Sequence, residues 1–296
     1  MIADTKQIQT ANIHAPKANR AMLPLQKIKS ALANTFVLAM VLVMLLPVFY
    51  MIMMSFRTGA EIAADPLAIP KSLYFGNYAY TFENMGYWRS VANSVGITLT
   101  VTLLVSFLGS LAAYPLARRT GRYSRFFIML VALAMAMPGF VNITPIYVMF
   151  REIGLLDTYL GIIIVFTAMN LPLAVFFFTG FISGIPKELE EAARLDNCGN
   201  WKVYWYIIRP LLGPAAATLS LFVMLMVWND FLYPLLLLTD KDKFTVMIEV
   251  YRFVGNRNIE PDMLFPAAVL GSLPLLILFV IFQKRILAGV TAGAVK

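Results

Sequence analysis

Two side chains that carry much of enzymatic proton and metal chemistry occur once each, as His14 and Cys198. One of each supplies no disulfide, no Cys/His metal set and no histidine base for a hydrolytic triad. The G-x-x-x-x-G-K-[ST] loop that would cradle a triphosphate is missing, together with any Gly-Lys pair, as are H-E-x-x-H and G-x-S-x-G. What remains is a thin set of amides, hydroxyls and one acid set in apolar sequence: Asn93 and Ser94, Asn142 and Thr144, Asn170, and Asn229 beside Asp230. Amides among aromatic rings suit an uncharged polyol such as a sugar, which needs donors, acceptors and flat apolar faces. The same residue types also bond one membrane helix to another. Asn142, Asn170, Asn229 and Asp230 are thus candidates for a substrate path, with helix bonding as the alternative for each.

The elements that would position these residues are membrane spans. Of 296 residues, 60% are hydrophobic and 14% charged, against roughly 25% charged in an ordinary soluble domain. The apolar residues form blocks longer than the roughly 18 that mark a span. Six are expected, at 34–54, 92–117, 126–150, 159–181, 211–238 and 264–282, in an all-α membrane protein. Pro138, Pro172, Pro234 and Pro274 fall inside the blocks, so kinks or breaks are expected there. Residues 1–30 read as a polar N-terminal tail and not as a signal peptide, 31–283 as the six-span domain, and 284–296 as a C-terminal tail.

Lysine and arginine mark the cytoplasmic side. With both termini, the second connection and the fourth on one side, that side holds sixteen basic residues and the other eight. Both termini are therefore expected to be cytoplasmic. The densest cluster, Arg118, Arg119, Arg122 and Arg125, contains no acid. The net excess of 24 Lys+Arg over 16 Asp+Glu is thus a topology signal and not a nucleic-acid surface. Asp230 is the one charged residue within the six blocks, whereas an ion-coupled carrier commonly needs several such groups and matching broken helices in two halves. An uphill transporter with this sequence takes its energy from another protein.

The fourth connection, 183–210, contains "ELEEAARLDNCGNWKVYWYIIRP". Pro186 suits a first helical position, and Glu188, Glu190 and Glu191 favour the positive end of a helix dipole. Glu190 and Arg194 have the spacing of an i, i+4 ion pair, and Leu189, Ala192 and Ala193 make a narrow face that another surface can approach closely. Asp196 and Asn197 end this helix. Trp201, Tyr204, Trp205 and Ile208 then share a second helical face up to Pro210. A membrane-surface helix is one reading of the pair; the acidic first half favours a protein partner, since the inner leaflet is itself negative.

"EAARLDNCGNWKVYWYIIRP" resembles the cytoplasmic E-A-A loop of permease subunits of bacterial ABC importers, E-A-A-x3-G-x9-I-x-L-P. Glu191, Ala192, Ala193, Ile207 and Pro210 match, Asn197 stands at the usual Gly and Arg209 at the usual Leu. Asn is the best substitute for Gly where φ is positive, and Arg209 can snorkel. "VWNDFLYPLLLL" and the ending "ILAGVTAGAVK" resemble the carbohydrate branch, in particular the smaller six-span permease of maltose-type importers. The resemblance implies a multi-pass protein of the bacterial inner membrane. It also implies a second permease subunit, an external solute-binding protein, and two ATPase subunits that bind ATP and Mg where this chain binds no cofactor. Glu191, Ala192, Ala193, Asp196 and Asn197 would carry the coupling. Thr239 to Met263 would reach toward the binding protein, and the tail near Gly289 to Gly293 would meet the ATPase. The alternatives are a stand-alone ion-coupled carrier or channel and, with nothing in its favour, an intramembrane enzyme.

Overall fold

A computed structural model describes residues 24–119, 121–255 and 261–294, with side chains over 29–119, 121–254 and 262–281. Residues 1–23 of the expected N-terminal tail and the side chains near Gly289 to Gly293 lie outside that description. The chain divides into two units, Met1–Tyr50 and Met51–Lys296. The described part of the first belongs to α1 (Pro24–Met54), which is apolar without interruption from Phe36 to Phe49.

In the second unit, α2 (Gly59–Ala64) and α3 (Gly76–Asn84) precede α4 (Tyr87–Arg118). Then come α5 (Arg122–Ala136), a 3-10 turn (Gly139–Asn142), α6 (Ile143–Glu152) and α7 (Tyr159–Ser183). The polar connection holds α8 (Glu188–Leu195), and a helical stretch follows, made of α9 (Asn200–Val203), a π turn (Tyr204–Ile208) and α10 (Arg209–Leu211). After α11 (Gly213–Asn229) and α12 (Leu232–Leu237) come a 3-10 turn (Lys241–Lys243), α13 (Val246–Gly255) and α14 (Pro261–Ala294). The last helix continues through 284–294, which the sequence suggested was a separate tail.

Four helices are long and apolar enough to cross a membrane, within α1, α4, α7 and α14. The number rises to six when each of two bent pairs is counted as one span. Of the breaks expected at prolines, the one at Pro138 is present. The third block breaks with a 92° bend between Arg122–Ala136 and Gly139–Glu152. Pro138 is the cause: the residue before a proline is pushed out of the α region, and Met137 is extended at φ −76°, ψ 125°. The fifth block bends by 71° across Leu212, between the stretch that ends at Leu211 and α11. Helix α11 stops at Asp230, extended at ψ 122°. Pro172 and Pro274, by contrast, sit inside uninterrupted helices.

The core lies where α4 crosses α7. A Cβ on Gly109 would stand 2.5 Å from the Cβ of Ala174, so the two backbones meet as closely as small residues permit. Val101, Val105, Ile162, Phe178 and Leu219 fill the layers on either side, all buried. A second, smaller cluster joins Tyr87, Trp228, Val246 and Leu270. There Tyr87 donates its hydroxyl to the Leu270 carbonyl, 3.0 Å, and Trp228 its ring N–H to that of Gly271, 3.3 Å.

Candidate functional site

The polar connection is built as two short helices with a defined turn. Helix α8 begins two residues later than Pro186 suggested: Lys187 is its N-cap, and its carbonyl accepts from the amides of Glu190 and Glu191. Three carboxylates, of Glu188, Glu190 and Glu191, occupy the first turn, where the helix dipole favours them. At the other end the Asn197 amide bonds to the Arg194 carbonyl and the Cys198 amide to that of Ala193, both at 3.0 Å. Asn197 has φ +58°. This is a Schellman motif with Asn in the left-handed position, so the departure from Gly preserves the turn, as expected. Cys198 packs against the core that also contains Ala193.

Burial separates the five coupling candidates. Ala193 is only 9% exposed and belongs to this chain's own core. Glu191, Ala192, Asp196 and Asn197 face outward together with Glu188, Leu189 and Leu195, the last 86% exposed. The outward face of α8 therefore carries three acids with Arg194 and two leucines, and Ala193 supports it from behind instead of lying on it.

Glu190 is the residue that sequence reasoning misassigned. It is 4% exposed and paired not with Arg194 but with Arg118, whose Nε donates to Glu190 Oε1 at 2.6 Å. The Tyr114 hydroxyl donates to Oε2 at 2.9 Å, and Arg118 also donates to the Ile185 carbonyl at 3.0 Å. Arg118 had registered only as a topology charge, because nothing in a linear pattern ties residue 118 to residue 190. The pair anchors α8 to the end of α4.

The second stretch is anchored to the same helix. Tyr204 is buried, with its hydroxyl 2.8 Å from that of Ser110, and Ile208 is buried beside it. Trp201 lies off this face and is exposed, so the expected four-residue stripe is split. Pro210 accounts for the π turn. Proline has no N–H to give, and its ring crowds the carbonyl one turn back. Ahead of it the Arg209 amide reaches Tyr204 in the wider π geometry, and the chain stays helical.

The expected path residues do not share one element: Asn142 follows the break at Pro138, Asn170 lies inside α7, and Asn229 and Asp230 stand at the end of α11. Asn170 is buried and donates to the Phe166 carbonyl one turn back, 2.8 Å; Asn229 does the same to Leu225, 2.8 Å. Asp230 Oδ1 accepts from the Tyr233 amide, in the first turn of α12, at 3.1 Å. Tyr233 in turn donates its hydroxyl to the Gly139 carbonyl, 2.6 Å. One break thus satisfies a backbone group freed by the other. A cavity of about 280 Å³ opens at this joint, lined by Gly139, Asn142, Ile146, Met169 and Pro172 among others. Of the four path candidates only Asn142 lines it. Asn93 and Ser94 are structural: Asn93 donates to the carbonyls of Asp242 and Phe244, and Ser94 accepts from the Val246 amide.

Outside the spans, Asp157 (φ +55°) collects the chain after α12. Its carboxylate accepts from the amides of Thr239 and Asp240 and from Lys243 Nζ, at 3.0 to 3.1 Å. Desolvation pushes its pKa up, but the Asp240 amide, Lys243 and the Thr239 amide outweigh it and hold the carboxyl below its ordinary value. Among the described residues no group of His, Cys, Asp and Glu could hold a metal ion.

Known proteins share this sequence and fold. The chain is 33% identical over 254 residues to the arabinooligosaccharides transport system permease protein of Halalkalibacterium halodurans, covering 84% of this chain and 90% of that one. It is 36% identical over 228 residues to the melibiose/raffinose/stachyose import permease protein of Bacillus subtilis, covering 77% and 83%. The crystal structure of a bacterial ABC transporter involved in the import of the acidic polysaccharide alginate shows the same fold. Its TM-score is 0.75 at 22% identity, covering 89% of this chain and 98% of that one. Over residues 105–291 the sequence matches the family of inner membrane components of binding-protein-dependent transport systems, and the chain belongs to that family.

Proposed function

We propose that this permease subunit of an ABC importer passes a sugar, of the oligosaccharide class, across the bacterial inner membrane, and that a separate ATPase drives it by docking on the outward face of α8. The observation that carries the docking assignment is the construction of α8. Glu188, Leu189, Glu191, Ala192, Leu195 and Asp196 are held outward while Glu190 is locked inward on Arg118. The sugar class is supported by relatives named for arabinooligosaccharides and for melibiose, raffinose and stachyose. Both termini and the α8 connection are assigned to the cytoplasm, on the sixteen-to-eight division of basic residues. A second permease subunit completes the path, and an external binding protein delivers the sugar to the Thr239 to Met263 side. Asn142 is the path residue best placed, since it lines the cavity at the break.

Ala192→Asp is the direct test. It leaves the core intact and adds a fourth carboxylate to the outward face, beside Glu188, Glu191 and Asp196. In proteoliposomes holding the complete importer, the expected outcome is loss of binding-protein-stimulated ATP hydrolysis with the chain still folded. Normal stimulation in that variant refutes the docking face. A stand-alone carrier instead predicts sugar movement in vesicles containing this chain alone.

A further inference from the structure

The stretch Asn200–Leu211 has an outward face unlike that of α8. Val203, Tyr204 and Ile208 form its buried side. The opposite side presents Trp201 (66% exposed), Lys202, Trp205, Tyr206 (78% exposed) and Arg209. These five fall at i, i+1, i+4, i+5 and i+8, one stripe of a helix. The Arg209 guanidinium stands 4.8 Å from the centre of the Trp205 ring, which holds the cation within the stripe. No acidic residue occurs between Asp196 and Asp230. The stretch meets α11 across Leu212 at a bend of 71°. With α11 crossing the bilayer, the stretch lies close to the membrane plane at the level where that crossing begins.

We propose that this stripe binds anionic lipid headgroups. Trp201, Trp205 and Tyr206 sit at the headgroup level, where amphipathic rings are favoured, and Lys202 and Arg209 pair with lipid phosphate. Charge complementarity selects this occupant: the stripe is aromatic and basic with no acid, while the neighbouring acidic face of α8 would be repelled by the same surface. The arginine at the usual leucine position is then a headgroup ligand and not a tolerated irregularity. The assignment needs only that α11 spans the membrane, and stands or falls apart from ATPase docking on α8.

The test places the full chain in phosphatidylcholine nanodiscs with and without phosphatidylglycerol, the acyl chains brominated near the headgroup. The Trp201 signal is isolated by subtracting the fluorescence of Trp201→Phe. Quenching of that signal by brominated lipid, with enrichment of phosphatidylglycerol among lipids retained through extraction, is the expected result. Lys202→Gln and Arg209→Gln should each lower the enrichment, by up to about fivefold, the factor equal to about 1 kcal/mol per basic residue at an anionic surface. Both side chains are exposed, so these variants fold. The proposal is overturned by unchanged enrichment in the double variant. It is equally overturned by a Trp201 signal that brominated lipid leaves untouched and that aqueous iodide quenches until the ATPase is added, which assigns the stripe to a protein.

Discussion

Glu190→Ala asks whether α8 is held rigidly by the end of α4. The substitution leaves Arg118 with the Ile185 carbonyl in place of a carboxylate, and deprives the Tyr114 hydroxyl of its acceptor. An exposed ion pair would be worth about 0.2–1 kcal/mol, but both side chains here are largely buried. Removing one member of a buried pair costs about 3–5 kcal/mol, because the other charge stays in place without its partner. Arg118→Met should cost a similar amount. The double variant removes both charges and should fall short of the summed single losses by about 2–3 kcal/mol, within the range for residues in direct contact. Denaturant titration of the full chain in mixed micelles measures these differences. Hydrogen exchange at the Asn197 and Cys198 amides localises them, since the turn closing α8 should loosen first. Additivity within about 0.5 kcal/mol, or a loss below about 1 kcal/mol for Glu190→Ala, refutes a buried pair that fixes α8.

Ala193→Asp and Ala192→Asp should separate folding from docking: the first buries an unpaired carboxylate in the core and unfolds the α8 region, seen as lost yield and lost exchange protection, while the second leaves stability unchanged. Asn197→Gly should be neutral within a few tenths of a kcal/mol, whereas Asn197→Val should cost about 1–2 kcal/mol, because a β-branched side chain in the left-handed region has no short polar group to bond the local backbone; chemical denaturation of the two variants decides it. Asp157 has a depressed pKa in the folded state, so its contribution is complete above the unfolded value of about 3.9 and is lost as pH falls through the lower folded value. Protection of the Thr239 and Asp240 amides should vary across that window, and Asp157→Asn should remove the dependence. Tyr233→Phe should leave the Gly139 carbonyl without its partner at a cost of about 1–3 kcal/mol, read as lower thermal stability.

What the sequence could convey followed from local rules. The span blocks, the turn at Asn197 and the break at Pro138 each depend on a few consecutive residues, and each was legible from them. The stop of α11 at Asp230 was not, because Asp230 was read by its charge inside an apolar block, while its side chain is short enough to bond the Tyr233 amide. Glu190 failed for another reason. Its i, i+4 spacing to Arg194 offered a local partner, and only the fold brings Arg118 to it from 72 residues away. Ala193 looked interchangeable with Ala192 for the same reason: their neighbourhoods in sequence are alike and their burial is opposite.

Helix α4 carries the consequence of these tertiary contacts. Its 32 residues span about 48 Å at 1.5 Å per residue. Near its C-terminal end, Tyr114 and Arg118 hold α8 through Glu190, and Ser110 holds the following stretch through Tyr204. At its N-terminal end Arg89 pairs with Asp242, while Asn93 and Ser94 bind the segment from Asp242 to Val246. A partner that displaces α8 must therefore either break the Glu190 pair, at about 3–5 kcal/mol, or carry the end of α4 with it. Moving α4 as a body leaves those bonds made at both ends and requires a shift of its crossing with α7 at Gly109 and Ala174, the close approach that Gly109 permits. Gly109→Ala would place a Cβ 2.5 Å from that of Ala174 and force the crossing apart. The expected outcome is a folded importer that binds its ATPase yet transports slowly, and wild-type transport in that variant would exclude α4 as the moving body.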